Sequence, residues 1–200
     1  MKLVTGILSV VILFSVSLSA NAIALINKDV IIEAQQYGTK RSQQPLTDFL
    51  HPWLVYEEQA AIINETTERA YLYTPFLLLA HDARDKSRNK QPVELANSEK
   101  ILADYAGCMV FSIIVNGKDD NFSDKAQVII KQDKKIVKPY HAVTNPPVRI
   151  SGASTEPRFT AQFYFYFHER DIVMGKPITL SVTTKDKQER RFYFELSNFK

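Results

Sequence analysis

Cysteine is nearly absent from this 200-residue chain. Cys108 stands alone, so no disulfide can form within it, and the cysteine-dense scaffolds of small secreted domains are excluded. Glycine is sparse, with six residues, and neither a glycine-rich phosphate loop nor a nucleophile elbow occurs. A zincin helix and a papain-like cysteine site are missing too. Ser151-Gly152-Ala153-Ser154 lacks the glycine frame that strains a catalytic serine. Nor is there a strong charge of one sign: 25 Lys and Arg against 22 Asp and Glu leave a net +3. That balance argues against a nucleic-acid partner, which needs a concentrated basic surface.

Long apolar runs are confined to the start. Lys2 is followed by an apolar run from Leu3 through Val16 and then by small residues ending in Ala20-Asn21-Ala22, the three-part layout of a secretory signal. The run is about 14 residues, short of the ~20 that cross a hydrocarbon core. Residues 1–22 are therefore expected to be a cleavable signal peptide with no membrane span after cleavage. No cysteine lies near the cleavage site to carry a lipid. Residues 23–200 are expected to form a single mature domain, exported to the periplasm or beyond the cell, and the absence of cysteine pairs favours a bacterial source.

Residues 23–107 read as mainly helical. Asp29 precedes Val30, Ile31, Ala34 and Tyr37 at helical spacing, with Gly38 placed to end the helix. A short helix should begin near Pro45 and stop before Pro52. Residues 69–73 alternate as a strand, and Thr74-Pro75 then offers an N-cap with proline in the first helical position. The helix it opens should fade into a solvated turn over residues 84–90. A second helix, from about Val93 to Tyr105, stops at Gly107 and completes a hairpin.

From Cys108 the period changes to two, and residues 108–200 read as mainly β. Strands are expected over 109–116, 126–131, 135–142, 158–168, 178–184 and 190–196, separated by turn chemistry such as Gln132-Asp133-Lys134 and Lys185-Asp186-Lys187. Ile178, Leu180 and Val182 share one face, as do Phe192, Phe194 and Leu196. The fold class expected is α+β: an antiparallel β-sandwich of about seven strands, immunoglobulin-like in outline, with an N-terminal helical segment and a helix pair.

The strand ending at His168 is aromatic on both faces, with Phe163, Phe165 and Phe167 alternating with Tyr164, Tyr166 and His168. The phenylalanines read as core. Tyr164, Tyr166 and His168, joined by Tyr193 from another strand, are the candidate ligand-binding set, an amphipathic platform on which a sugar ring or a peptide could stack. The competing reading lays the helix pair over this face and makes it a second core layer.

Signals for other chemistry fall short of a pattern. His51, His81, His141 and His168 show no metal-pair spacing, and the adjacent pairs His81-Asp82 and His168-Glu169 point apart. Residues 119–124 place oxygen ligands alternately, but Asp124 stands where a calcium loop needs glycine and Ile130 where it needs an acid. No metal and no cofactor is expected. Asn64-Glu65-Thr66 and Asn121-Phe122-Ser123 match the glycosylation acceptor pattern, which matters only in a eukaryotic source.

Pro52-Trp53-Leu54-Val55-Tyr56, the run from Ala70 to Phe76 and Lys138-Pro139-Tyr140 resemble recurring features of a group of uncharacterised exported bacterial proteins. The resemblance spans most of the mature chain and implies export and a single domain, with no activity, substrate or cofactor attached. The expected function is a non-enzymatic exported binding module whose partner is an envelope protein or glycan. Two alternatives stand beside it: an envelope hydrolase with a carboxylate site assembled by the fold, for which Glu57-Glu58 and scattered acids are the only motive, and a structural subunit of an envelope assembly.

Overall fold

The computed structural model describes residues 27–151, 157 and 159–200. The signal-peptide reading and most of the 151–154 loop lie outside the described residues. In chain order the helical part runs α1 (Lys28–Lys40), α2 (Leu46–Leu50), β1 (Leu54–Tyr56), β2 (Arg69–Tyr73), α3 (Pro75–Arg88) and α4 (Leu95–Asp104). The β part follows as β3 (Cys108–Gly117), β4 (Gln127–Gln132), β5 (Lys135–Val137), β6 (His141–Thr144), β7 (Val148–Arg149), β8 (Phe159–His168), β9 (Ile178–Thr183) and β10 (Glu189–Phe194). The fold is α+β, and the strands form two antiparallel sheets. One has the order β1-β2-β3-β8-β6, with β7 also on β8, and the other is β10-β9-β4-β5.

The helix signals hold where local chemistry decides. Thr74 caps α3 by accepting from the Leu77 amide at 3.2 Å, with Pro75 in the first helical position. At α1 the cap is Asn27, accepting from Val30 N at 3.0 Å, and Asp29 falls in the first turn, where its charge complements the helix dipole. Gly38 does not end α1. It lies inside the helix because α1 crosses α3 backbone to backbone: a Cβ there would come within 2.0 Å of the Ala80 carbonyl oxygen.

The expected solvated turn over 84–90 is also corrected, since α3 continues through Arg88. Arg84 is 2% exposed. Its guanidinium donates to the Gln44 carbonyl at 2.8 Å and sits 5.2 Å from the Phe49 ring centre, tying the loop after α1 to the helix pair.

Ten strands stand among the described residues where about seven were expected. The reading missed β1 and β7, and the single strand expected over 135–142 is two. β5 pairs with β4 in the smaller sheet and β6 with β8 in the larger, so the chain crosses between sheets at Lys138-Pro139-Tyr140. Pro139 has no amide hydrogen to give a ladder, which suits it to the crossing. The turns carry the expected chemistry, with Asp133 at φ 52° and Lys187 at φ 61° in the left-handed region.

Between the sheets, Phe111, Phe163, Phe165 and Phe167 meet Leu180, Val182, Phe192 and Phe194, all buried. Phe111 and Phe194 touch edge to face across the interface, with ring centres 5.1 Å apart. Each such side chain contributes about 1.5–3 kcal/mol of burial before entropy is charged. One end is plugged by Phe122, whose ring occupies the space where Gly117 has no side chain. The acidic 119–124 loop thereby serves packing.

Arg190 breaks the apolar pattern. It lies directly opposite Val182, points inward like Phe192 and Phe194, and is 4% exposed. Its Nε donates to both Glu68 carboxylate oxygens at 3.0 and 3.2 Å. Nη2 donates to the Asn116 carbonyl at 2.9 Å, and Nη1 to Thr184 Oγ1 and to Asp186 Oδ1, the latter at 3.3 Å. Glu68 in turn accepts from Asn116 N at 2.8 Å. Burial pushes the Asp186 carboxyl up, but hydrogen bonds from Thr184 and Arg190 outweigh it and hold the group below its ordinary range. Removing one partner leaves opposite charges stranded: Arg190→Met is expected to lose about 3–5 kcal/mol in urea unfolding. A loss below ~1 kcal/mol would show that the network carries no stability.

Candidate functional site

Antiparallel pairing places directly opposed residues on one side of a sheet. Across the outer face of the larger sheet this gives one row of Tyr73, Val110, Tyr166 and His141, and a second of Tyr71, Ser112, Tyr164 and Val143. Cys108 and His168 stand opposite each other in the next row. The aromatic strand is thus two-faced as its alternation requires, with phenylalanines between the sheets and tyrosines outside.

The helix pair covers part of this outer face. Leu78 and His81 of α3, Ile101 of α4 and Tyr105 just beyond it stand over Tyr73, Val110, Tyr164 and Tyr166, enclosing a cleft of about 450 Å³. Tyr73 is more deeply buried than Tyr166. Its ring centre is 6.4 Å from Tyr164 and 6.2 Å from His81. Burial, reinforced by neighbouring Tyr164, pushes its hydroxyl well above the ordinary tyrosine range. Burial raises Tyr166 too.

His81 is held towards its neutral form, because burial lowers its pKa more than the Asp85 carboxylate, 3.3 Å from Nδ1, raises it. The acids at the rim are matched by cations: Asp82 by Lys86 at 2.8 Å, and Asp85 by Arg84 at 3.3 Å.

Beyond the helices the strip continues uncovered. The Tyr166 ring lies 5.2 Å from His141 and 6.4 Å from Tyr140. Tyr140, 51% exposed, stacks on His168 with centres 4.2 Å apart and planes 14° from parallel. Its hydroxyl is 3.0 Å from Cys108 Sγ, and that hydrogen bond is the main reason its pKa is pushed up to about 12. Cys108 is half-buried at the sheet's outer face.

Tyr164, Tyr166 and His168 of the expected set share this face. Tyr193 does not join them. It pairs with Thr179 on the outer side of the smaller sheet, 47% exposed, because β10 belongs to that sheet and its inward positions hold Phe192 and Phe194. The two readings of the tyrosine face each describe a part: the helix pair closes over the Tyr73 side and leaves the Tyr140 side open. Sequence reasoning missed Tyr73, His81, Tyr105 and Tyr140. The usable signals were the tyrosine beside the Thr74 cap and the Lys138-Pro139-Tyr140 crossing.

The carboxylates named for a hydrolytic site hold strands together. Glu57 accepts from Gln59 N at 2.7 Å and from Arg191 N at 3.4 Å, and Glu58 is 3.4 Å from the Arg191 guanidinium. Among the described residues no three His, Cys, Asp or Glu side chains converge as metal ligands, and no helix is long and apolar enough to cross a membrane.

No protein-family model and no curated protein matches the chain. Among solved structures, an IgNAR antibody domain C1 is similar over 44% of this chain and 76% of its own, at 12% identity and a TM-score of 0.30. A superposition this loose carries over no partner and no activity.

Lowering of the His81 pKa has a signed consequence. The unfolded chain binds this proton more readily than the folded one, so stability rises with pH across the window below the ordinary value of 6.5 and is lost as pH falls through it. His81→Gln should flatten the stability profile between about pH 7 and about pH 5, read by urea midpoints. An unchanged slope would mean that His81 is not the group responsible.

Proposed function

We propose that the mature chain is an exported, non-enzymatic binding module, with the aromatic strip on the larger sheet as its ligand face. The signal-like layout of residues 1–22 motivates the export half of this reading. One observation carries the binding half: tyrosine and histidine rings run from Tyr73 inside the cleft through Tyr164 and Tyr166 to Tyr140 and His168 at the open edge. Aromatic side chains with an apolar body and a polar tip dominate recognition surfaces, since they bring large contact area at low entropy cost. The partner class is an envelope protein or a glycan.

The test is capture of envelope components by the purified protein, compared with Tyr164→Ala and Tyr166→Ala. Each substitution should weaken retention at least about tenfold, or ~1.4 kcal/mol. Undiminished capture by both variants would place the ligand elsewhere.

The open edges support a second reading, a subunit of an assembly. Every residue of β6 is exposed, β5 is the free edge of the other sheet, and Ile136, Val143 and Val148 are exposed apolar side chains on or beside these strands. A sedimentation coefficient that rises with concentration would support it, and a strictly monomeric profile would remove it.

A further inference from the structure

We propose that the cleft between α3, α4 and the larger sheet receives an uncharged, hydroxyl-rich ring, a saccharide unit stacked against the tyrosines and hydrogen-bonded by their hydroxyls. This rests on the reading of the aromatic strip as the ligand face and specifies what its covered half takes. Three properties of the cleft select that chemistry.

The first is size and shape. At about 450 Å³ and open on one side, the cleft lies at the small end of the range that ligand sites occupy. It suits one or two rings and excludes a folded partner. Tyr73, Tyr164 and Tyr166 line it from the sheet side, and tyrosine rings pack readily against the C–H surface of a sugar.

The second is unspent hydrogen-bonding capacity. Four tyrosines line the cleft, Tyr73, Tyr105, Tyr164 and Tyr166, and among the described residues none of their hydroxyls is engaged by a protein partner. None is a fully enclosed orphan either, because the buried atoms without partners are Arg84 Nε and Ser181 Oγ. Each hydroxyl both donates and accepts, and the Asn89 and Gln91 amides add both functions at the rim. An apolar ring seated here would strip these groups of water and return nothing, at ~1–3 kcal/mol for each group left unpaired. A polyhydroxylated ring replaces the lost water group for group.

The third is charge. Tyrosine faces also attract cations, but a cation needs uncommitted anionic charge nearby, and the carboxylates here are already matched. Asp82 is bound to Lys86, and Asp85 lies between His81 and Arg84. Arg84 reaches Asp85 from outside the lining, and with Lys86 on Asp82 it leaves no unmatched carboxylate at the wall, so a neutral ligand is favoured over an ammonium or guanidinium group.

The experiment is a titration of the purified protein carrying labelled tyrosine rings, read by NMR, with maltose, cellobiose and di-N-acetylchitobiose. Tetramethylammonium and toluene serve as the cationic and apolar probes. At least one disaccharide should shift the Tyr73 and Tyr164 resonances saturably, and Tyr164→Phe, which keeps the ring and removes the hydroxyl, should weaken that binding about fivefold. Shifts from tetramethylammonium or toluene with none from any disaccharide would overturn the saccharide assignment and leave the ligand-face reading intact. A panel silent at these tyrosines, together with capture still sensitive to Tyr166→Ala, would overturn it equally and confine the ligand to the open half of the strip. Silence in both assays would remove both readings.

Discussion

A guanidinium buried between two sheets has to be matched by groups from both, and Arg190 meets that condition by drawing on three separate stretches of chain. Glu68 lies just before β2 and Asn116 near the end of β3, both on the larger sheet, while Thr184 and Asp186 come from the turn between β9 and β10. The desolvation of such a charge is tolerable only when its partners are in place together, so the network acts as an alignment device as well as an anchor. It ties the β9–β10 turn of the smaller sheet to Glu68 and Asn116 of the larger at one end of the sandwich.

With the sheets aligned, the two faces of β8 separate packing from recognition. The inward phenylalanines meet the smaller sheet, whereas the outward tyrosines face a helix pair that reaches only part of the way across. The reach of that cover is set by the helices' own anchors. Gly38 lets α1 close onto α3, and Arg84 ties α3 to the carbonyl of Gln44. A helix layer held this tightly to itself leaves the Tyr140 side of the sheet bare.

What could be read from residue order alone followed the range of the interaction responsible. Thr74-Pro75, the turns at Asp133 and Lys187, and the alternation in β8, β9 and β10 are decided by neighbours within a few residues and stand where the pattern put them, except that β10 ends at Phe194 and Leu196 opens a 3-10 turn. Gly38 looked like a helix stop because the carbonyl that excludes a side chain there belongs to Ala80, and Arg84 looked solvated because its partners are Gln44 and Phe49. The same limit governed the site. Tyr164, Tyr166 and His168 share a face by alternation, but whether Tyr193 joins them depends on which sheet β10 enters, and no local pattern encodes that. Arg190 sits at an inward position that a period of two allows and charge argues against, so it could be recognised only with Glu68 and Asp186 beside it.

The crossing at Pro139 also bears on how this chain finds its structure. β3 pairs with β8 along its whole length, yet four strands of the intervening chain, β4 to β7, come between them in sequence. The other flank of β3 is no more local, because α3 and α4 separate it from β2. The central strand of the larger sheet therefore has no hairpin partner on either side, and both its ladders close long loops before any pairing energy is gained. The small β9–β10 hairpin, by contrast, can form at once. Such a topology favours slow folding, because the apolar strand from Cys108 to Gly117 pairs only with segments distant in sequence.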